Sequence, residues 1–236
     1  MNKPKGTKPK AKTSSKKIDL EPVNFNSSQL ELIKKIHKNR IVLVHGPAGT
    51  AKTSTTLYAA FEMLNDAKVN AIQMTKPIEE SGEKLGFLPG TIDEKIAPHI
   101  ESFYNATEMF ADRKAVEFLG ATKELDFQPL AYLRGRTFSN KLVILDEAQN
   151  CDFRQLMLFI TRLGKNSKMV ILGDTSQYDI KENKVALTSF IKMLEGIPGI
   201  VTHEFQKSDI VRESILIEIC DRYDQWKSEG KVTSSK

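Results

Sequence analysis

The chain has 236 residues, 40% of them hydrophobic and 28% charged, with a formal net charge of +5. This length and composition are typical of a globular protein with one domain, or two small ones. Its apolar runs are far shorter than the roughly 20 residues of a membrane-spanning helix, and its two cysteines form no zinc-binding pair. The sequence therefore excludes a transmembrane protein and predicts no membrane partner and a cytoplasmic location.

The excess positive charge lies in a tail over residues 1–17, which has seven lysines and no acidic residue. The rest of the chain has 28 basic and 30 acidic residues, a net charge of −2. Because the tail has no large apolar side chain after Met1, we expect it to be disordered. Two interpretations remain open: the tail keeps the chain in solution, or it attracts nucleic-acid phosphates. A second flexible tail is predicted over residues 227–236.

Between the tails, residues 18–226 alternate between strand-like and helix-like segments. Buried strands are predicted at Ile41–His45, Val69–Thr75, Lys141–Asp146, Lys168–Gly173 and Ile200–Phe205. Helices are predicted at Phe25–His37 with Asn26 or Ser27 as its cap, Lys52–Asn65, Asp93–Leu119, Phe153–Leu163, Lys184–Leu194 and Ile210–Trp226. Strands that are apolar throughout are typical of parallel sheets covered on both faces. The pattern predicts one α/β domain with a mainly parallel sheet flanked by helices.

The strongest motif is GPAGTAKT, which follows an apolar strand and opens a helix. A loop of this kind points backbone N–H groups at phosphates, its lysine binds the β- and γ-phosphates, and its threonine hydroxyl binds Mg²⁺. The predicted ATP-binding residues are Gly46, Pro47, Ala48, Gly49, Thr50, Ala51, Lys52, Thr53 and Ser54. Ala51 stands where the pattern has glycine, which costs little at negative φ but strains the loop at positive φ.

Two carboxylates follow the apolar strand that ends at Leu145. Asp146 is predicted to hold Mg²⁺ together with Thr53, and Glu147 to orient or deprotonate an attacking water. The alternative is an ordinary strand followed by an acidic turn. A carboxylate next to the metal-binding aspartate favours hydrolysis over transfer to another acceptor.

Two glutamines are further candidates for the nucleotide site. Gln177 follows the strand Lys168–Gly173 and is predicted to sense the γ-phosphate, although Gly173–Gln177 is also an ordinary turn sequence. Gln29 precedes the first strand, and its amide is predicted to recognise the adenine edge. A surface glutamine is the alternative for Gln29.

Together these motifs resemble the PhoH family over about Phe25 to Trp226, and in particular the short PhoH-like proteins that bacteriophages encode. The matching strings are GPAGTAKT, KPIEESGEKLGFLPG, PLAYLRGRTF, LDEAQN, TRLGKNSKMVILGDTSQ and SDIVRESIL. The family's P-loop ATPases are related to superfamily 1 helicases, and some members are linked to RNA unwinding and cleavage. The resemblance implies a RecA-like P-loop NTPase fold, ATP and Mg²⁺ as cofactors, and the host cytoplasm as location if a phage encodes the chain. Ala51 and Lys76 depart from the family's Gly and Arg, which puts the rate of hydrolysis in question more than nucleotide binding.

The resemblance also suggests roles for basic residues. Arg212 and Arg162 are the candidates for the cation that stabilises the γ-phosphate during transfer. Arg134, Arg136 and Lys76 are candidates for contacts with a nucleic-acid backbone. For any of these arginines, a surface ion pair is the alternative, and for Arg134 and Arg136 its partner would be the acidic Glu79–Glu83 loop.

Two functions of different classes follow from the sequence. The first is an ATPase coupled to RNA or single-stranded nucleic acid, with RNA helicase activity as its most specific form. The second is a nucleotide-binding regulatory or scaffold protein with negligible hydrolysis. A small-molecule kinase is a weaker third reading. Since superfamily 1 motors use two RecA-like domains and this chain has strands for one, we expect a homo-oligomer, specifically a hexameric ring.

Overall fold

The computed structural model describes residues 17–78, 92–174 and 181–211, and seven isolated positions between 215 and 229. Six parallel strands form one sheet in the order β3-β2-β4-β5-β1-β6. The strands are β1 (Ile41–His45), β2 (Ala71–Thr75), β3 (Leu125–Phe127), β4 (Lys141–Leu145), β5 (Lys168–Gly173) and β6 (Ile200–Glu204). The α-helices are α1 (Ser27–Lys38), α2 (Lys52–Asn65), α3 (Ile92–Thr107), α4 (Arg113–Ala121), α5 (Phe153–Ile160) and α6 (Lys181–Leu194). Short 3₁₀ turns lie at Leu130–Leu133, Ala148–Asn150 and Lys207–Asp209. Among these residues, no helix is both long and apolar enough to cross a membrane.

Helices cover both faces of the sheet, as the apolar strands predict. In β4, Leu142 and Ile144 point into the core cluster that also includes residues of α1 to α4, whereas Val143 and Leu145 point into the cluster beneath α5 and α6. Successive side chains of a strand point to opposite faces of the sheet, so a strand that is covered on both faces must be apolar on both. The α/β class and the parallel sheet are thus confirmed.

Helix α1 is fixed at both ends. Asn26 is its N-cap, because its side chain accepts from the Gln29 N–H while the Gln29 side chain accepts from the Asn26 N–H. At the other end, Lys168 Nζ donates to three backbone carbonyls, those of Ile36, His37 and Asn39, at 2.7 to 2.9 Å. These carbonyls have no partner within the helix, so an ammonium from β5 satisfies the helix terminus.

The prediction of one helix over Asp93–Leu119 is wrong. The structure has α3 and α4 separated by a turn in which Phe110 is fully buried and packs edge-to-face on Phe61. Asp112 then starts α4 by accepting the Ala115 N–H. The burial of the Phe110 ring and the new N-cap at Asp112 stabilise the chain more than one uninterrupted helix would.

Strand β3 is absent from the predicted elements. It is a three-residue edge strand, Leu125–Phe127, that pairs only with β2. So short a segment has too few residues for an alternating pattern, which explains why the sequence did not reveal it. The predicted last helix, Ile210–Trp226, lies mostly outside the described residues, and the predicted tail 1–17 lies outside them except for Lys17.

The topology brings three loops to one edge of the sheet. Because all strands are parallel, the segments that follow β1, β4 and β5 leave from the same carboxyl edge, and these strands are neighbours in the order β4-β5-β1. Ligands of open parallel sheets bind at this edge. The predicted phosphate loop and the carboxylate Asp146 therefore lie close together.

Candidate functional site

The loop after β1 is anchored on the neighbouring strand β6. Gly46 has φ of +143°, and a Cβ at this position would lie 2.5 Å from the Phe205 carbonyl oxygen. Both observations require glycine here. The loop is also closed internally, since Thr50 Oγ1 donates to the Pro47 carbonyl at 3.1 Å. The backbone that surrounds the expected phosphate position is thus fixed by its own contacts.

Ala51 has a left-handed backbone, with φ 59° and ψ 34°. The sequence left open whether Ala51 has a negative φ, which costs little, or a positive φ, which strains the loop. The structure shows the positive φ. A left-handed residue with a Cβ costs about 1–2 kcal/mol, a cost that glycine avoids. Ala51 is nonetheless the residue that starts α2, because the Thr55 N–H donates to its carbonyl at 2.9 Å.

Lys52 is folded over the loop in this structure. Its Nζ donates to the Gly46 and Pro47 carbonyls, both at 2.8 Å. A phosphate in the loop offers the same ammonium a charged acceptor, which makes a stronger hydrogen bond than a carbonyl. The lysine is therefore placed where it can exchange two neutral acceptors for a phosphate.

Thr53 and Asp146 meet at the centre of the site. The Thr53 hydroxyl lies 3.2 Å from each carboxylate oxygen of Asp146, and Lys76 Nζ lies 3.7 Å from Asp146 Oδ2. Burial raises the pKa of the Asp146 carboxyl, the Lys76 charge opposes this, and Glu147 adds to it. Hydroxyl and carboxylate oxygens are the hard ligands that Mg²⁺ prefers, so this pair fits the predicted metal site.

The Lys76 ammonium lies inside the site, close to the Asp146 carboxylate. Besides Asp146, its ammonium contacts Ser102 Oγ at 3.1 Å and lies 4.8 Å from the centre of the Phe103 ring. Only 13% of its side chain is exposed. The structure thus places Lys76 inside the site beside Asp146, and a contact of Lys76 with a nucleic-acid backbone stays a prediction.

Glu147 is held in place by Gln149, a residue to which the sequence analysis gave no role. Glu147 also has a left-handed backbone, with φ 58°, and its side chain is exposed towards the cleft. Gln149 Nε2 donates to Glu147 Oε2 at 2.6 Å, and Gln149 Oε1 accepts the Asp174 N–H at 2.9 Å. Strained backbone held by surrounding contacts is common at functional sites. The only sequence signal for Gln149 is its place in LDEAQN, two residues after Glu147.

These residues enclose a cleft of about 310 Å³. Its lining combines the phosphate loop, the acidic end of β4 and the end of β5. The lining residues are Ala48, Gly49, Ala51, Lys52, Thr53, Ser54, Asp146, Glu147, Gln149, Gly173 and Asp174. Seven of these eleven residues lie on the segments that follow β1, β4 and β5, Gly173 ends β5, and Lys52, Thr53 and Ser54 form the first turn of α2. The carboxyl edge of the sheet therefore assembles the cleft.

Gln29 lies beside this loop and is buried. Its Nε2 donates to the Thr50 carbonyl at 3.3 Å, and its Oε1 accepts the Asn26 N–H. The amide therefore supports the loop and caps α1. Recognition of an adenine edge by Gln29 stays a prediction, and it would use the remaining N–H of the amide.

Three of the predicted arginines, Arg134, Arg136 and Arg162, are absent from the residues that line the cleft. Arg134 and Arg136 are exposed on the segment after the Leu130–Leu133 turn. Arg162 follows α5 at the opposite edge of the sheet, where its guanidinium donates to the Leu158 and Arg136 carbonyls. The structure does not bring Arg162 to the phosphate loop of its own chain. Gln177, Arg212 and the Glu79–Glu83 loop lie outside the described residues.

Comparisons with known proteins agree with the motifs. A family model described as "PhoH-like protein" matches residues 22–224. A PhoH-like protein of Mycobacterium tuberculosis H37Rv is 38% identical over 89% of this chain, and one of Bacillus subtilis is 39% identical over 84%. The chain spans about 60% of the length of these relatives, 60% and 62% respectively. Among solved structures, the Sulfolobus solfataricus SWI2/SNF2 ATPase core is similar with a TM-score of 0.46 and 12% identity, over 80% of this chain and 46% of that one.

Proposed function

The chain belongs to the PhoH family, and from this premise we propose that it binds ATP with Mg²⁺ in the cleft and hydrolyses it, coupled to RNA or other single-stranded nucleic acid. The observation that carries the proposal is the contact of Thr53 with Asp146 at 3.2 Å, next to a carboxylate that Gln149 orients. A phosphate loop alone would support binding. A second, oriented carboxylate supports turnover.

Each residue has a distinct part in the proposed reaction. Backbone N–H groups of the loop and the Lys52 ammonium bind the phosphates, and Thr53 and Asp146 hold Mg²⁺. When bound, Mg²⁺ offsets negative charge on the phosphates. Glu147 accepts a hydrogen bond from the attacking water and so aims it at the γ-phosphate. The Gln149 amide keeps the Glu147 carboxylate in place for that contact.

A second candidate function is nucleotide binding with negligible hydrolysis, in a regulatory or scaffold role. The left-handed backbone of Ala51 favours it, because a strained loop resists the small adjustments that closure around a transition state requires. In this candidate, Glu147 would have no effect on any measured rate. The two candidate functions therefore predict different ATP hydrolysis rates for one variant, Glu147→Gln.

We also propose a homo-oligomer, with a hexameric ring as the expected form. The described strands build one sheet and one phosphate loop, whereas an arginine that reaches the γ-phosphate must come from elsewhere in the chain or from a neighbour. A backbone contact bears on whether the arginine comes from the same chain or from a neighbour. The Val211 N–H donates to the Gly49 carbonyl at 3.0 Å. The chain thus passes its own phosphate loop just before Arg212.

Two variants test the proposed reaction. Lys52→Ala should lose ATP binding, since a charge-assisted contact to a polyanion is removed, whereas Glu147→Gln should keep ATP binding and lose hydrolysis. Binding is measured with fluorescent ATP, and hydrolysis by phosphate release with and without single-stranded RNA or DNA. Lys34→Ala, an exposed lysine of α1, is the matched control. Normal turnover by Glu147→Gln would contradict the proposed reaction.

A further inference from the structure

Two segments of the chain contain basic residues and no acidic ones. Residues 128–141 include Arg134, Arg136 and Lys141, and residues 153–168 include Arg154, Arg162, Lys165 and Lys168, without one Asp or Glu in either segment. Outside these two segments and the first 17 residues, the chain has 21 basic and 30 acidic residues, a net charge of −9. Such a local separation of charge is typical of surfaces that bind polyanions.

The two segments form a single surface, which we call the basic face. The Phe138 N–H donates to the Arg162 carbonyl at 2.9 Å, and the Phe138 carbonyl accepts the Gly164 N–H at 2.7 Å. A Cβ at Gly164 would lie 2.2 Å from that carbonyl, so the backbones touch. The Arg162 guanidinium adds a bond to the Arg136 carbonyl at 3.2 Å. These contacts fix the positions of the charges relative to one another.

Only some of the seven basic side chains in the two segments are exposed to solvent. Lys168 caps α1, and Arg162 donates to backbone carbonyls, as described above. Four side chains remain exposed: those of Arg134, Arg136, Arg154 and Lys165. Arg136 is steadied by Gln128, whose Oε1 accepts from its Nη1 at 2.5 Å. In the sequence, Asp126 and Asp152 are the acidic residues that come just before the two segments.

An aromatic side chain stands among these arginines. Tyr132 is 46% exposed, although its neighbours Leu130 and Leu133 in the same 3₁₀ turn are buried. The next four residues, Leu133 to Arg136, form a type II turn, with Arg134 at φ −58° and ψ 129° and Gly135 at φ +80°. The Arg136 N–H closes it on the Leu133 carbonyl at 3.1 Å. The anchored turn presents the ring and both guanidinium groups to solvent.

We infer that the basic face binds single-stranded nucleic acid, with Tyr132 stacking on a base and the exposed arginines binding the flanking phosphates. This rests on the proposed function and adds the surface that would bind the strand and a residue, Tyr132, to which the motifs gave no role. A single strand exposes the faces of its bases, which a duplex hides. An exposed ring two residues before Arg134 and four before Arg136 offers a stacking group for a base next to cations for its phosphates.

The test compares aromatic and cationic variants of the full chain. Binding of fluorescent oligouridine is followed by anisotropy without nucleotide, beside a duplex of equal length. Tyr132→Ala should bind oligouridine about tenfold more weakly, as expected for one lost stacked base, whereas Tyr132→Phe should bind like the wild type. Phe118→Ala is the matched control, since Phe118 is also exposed but lies on α4. The lysine tail is present in all variants and cannot produce a difference.

The salt dependence separates charge from stacking. Arg134→Ala should lower the slope of log affinity against log salt by about one, whereas Tyr132→Ala should leave it unchanged. Lys114→Ala, an exposed cation of α4, is the control for charge. Tyr132→Leu keeps apolar contacts without the ring, so weaker binding by this variant, with an unchanged melting temperature, identifies stacking rather than misfolding.

Three results would overturn the inference. The first is that Tyr132→Ala binds oligouridine as tightly as Phe118→Ala does. The second is that the duplex loses as much affinity as the single strand in Tyr132→Ala. The third is that polyglutamate competes as well as oligouridine does, which would make the basic face a site for acidic proteins. ATP hydrolysis is measured separately without nucleic acid, so Tyr132-dependent binding without hydrolysis would contradict only the proposed reaction.

Discussion

Gln149 donates a 2.6 Å hydrogen bond to the carboxylate of Glu147, and through its other amide atom it accepts the N–H of Asp174. One side chain thereby joins the loop after β4 to the loop after β5. Glu147 has a left-handed backbone, and the hydrogen bond that the structure describes for its carboxylate is the one it accepts from Gln149. Its orientation therefore depends on this amide. The orientation of the proposed catalytic carboxylate therefore depends on a residue that need not touch ATP.

Gln149→Leu should lower ATP hydrolysis about tenfold to a hundredfold while ATP affinity changes little, because an unsupported Glu147 loses its aim. Phosphate release gives the rate, and fluorescent ATP gives the affinity. The sharper measurement is a double variant: on top of Glu147→Gln, the Gln149→Leu change should cause no further loss of rate. Additive losses would show that Gln149 does not act through Glu147.

Ala51→Gly should stabilise the nucleotide-free protein by about 1 kcal/mol, since glycine adopts the left-handed backbone without strain. Urea denaturation measures this. Ala48→Gly is the matched control: it lies in the same loop but lacks a positive φ, so glycine there should be neutral or destabilising. Equal effects of the two substitutions would mean that the left-handed backbone of Ala51 carries no strain.

Asp146→Asn should abolish hydrolysis, and its stability relative to the wild type should depend on pH. Burial raises the pKa of the Asp146 carboxyl in the folded chain, so the folded state favours its protonated form. Its favourable contribution is full below the unfolded pKa and is lost as pH rises through the folded pKa. The stability of Asp146→Asn relative to the wild type should therefore increase as pH rises from acidic to neutral.

Denaturation at several pH values from about 4 to 8 tests this expectation, because the difference between variant and wild type isolates one titrating group. Asp152→Asn is the control, since Asp152 is an exposed N-cap where asparagine caps equally well. An Asp146→Asn difference that is constant over the whole range would rule out the titration of Asp146 as its cause.

A mixture of Lys52→Ala and Arg212→Ala subunits should recover part of the ATPase activity that each lacks alone, if the proposed ring shares its sites between neighbours. Mixed rings contain sites with an intact lysine and a neighbour's intact arginine. Steady-state ATPase is measured after subunit exchange, which mass spectrometry of tagged chains demonstrates. No recovery despite exchange, or a monomer by light scattering with ATP present, would contradict the shared site.

The sequence predicted the family and the fold because the signals for both are local. Apolar strands such as β4 and β5 need only a few consecutive residues to be recognised, and the parallel order follows from their alternation with helices. The same local motifs placed Lys52, Thr53 and Asp146 at strand ends, and the structure brings these three together. The roles of these residues in binding and catalysis stay predictions.

What the sequence did not predict depends on contacts between distant residues. The sequence did not indicate that the Lys76 ammonium lies beside Asp146, a buried carboxylate at the end of the neighbouring strand β4. The break between α3 and α4 arises because Phe110 packs on Phe61, which is far away in sequence. The role of Gln149 likewise requires Asp174 as a second partner. None of these pairs leaves a periodic signal.

Helix α1 connects a strand to the phosphate loop. Lys168 of β5 holds its carboxyl end, and Gln29 in its first turn donates to Thr50 of the loop. Because α1 is held at both ends, it keeps the phosphate loop rigid. The loop therefore loses little conformational entropy when a ligand binds. Nucleotide capture should then be rapid and carry a small entropic penalty, and differences in affinity between nucleotides should arise mainly from how fast each one leaves.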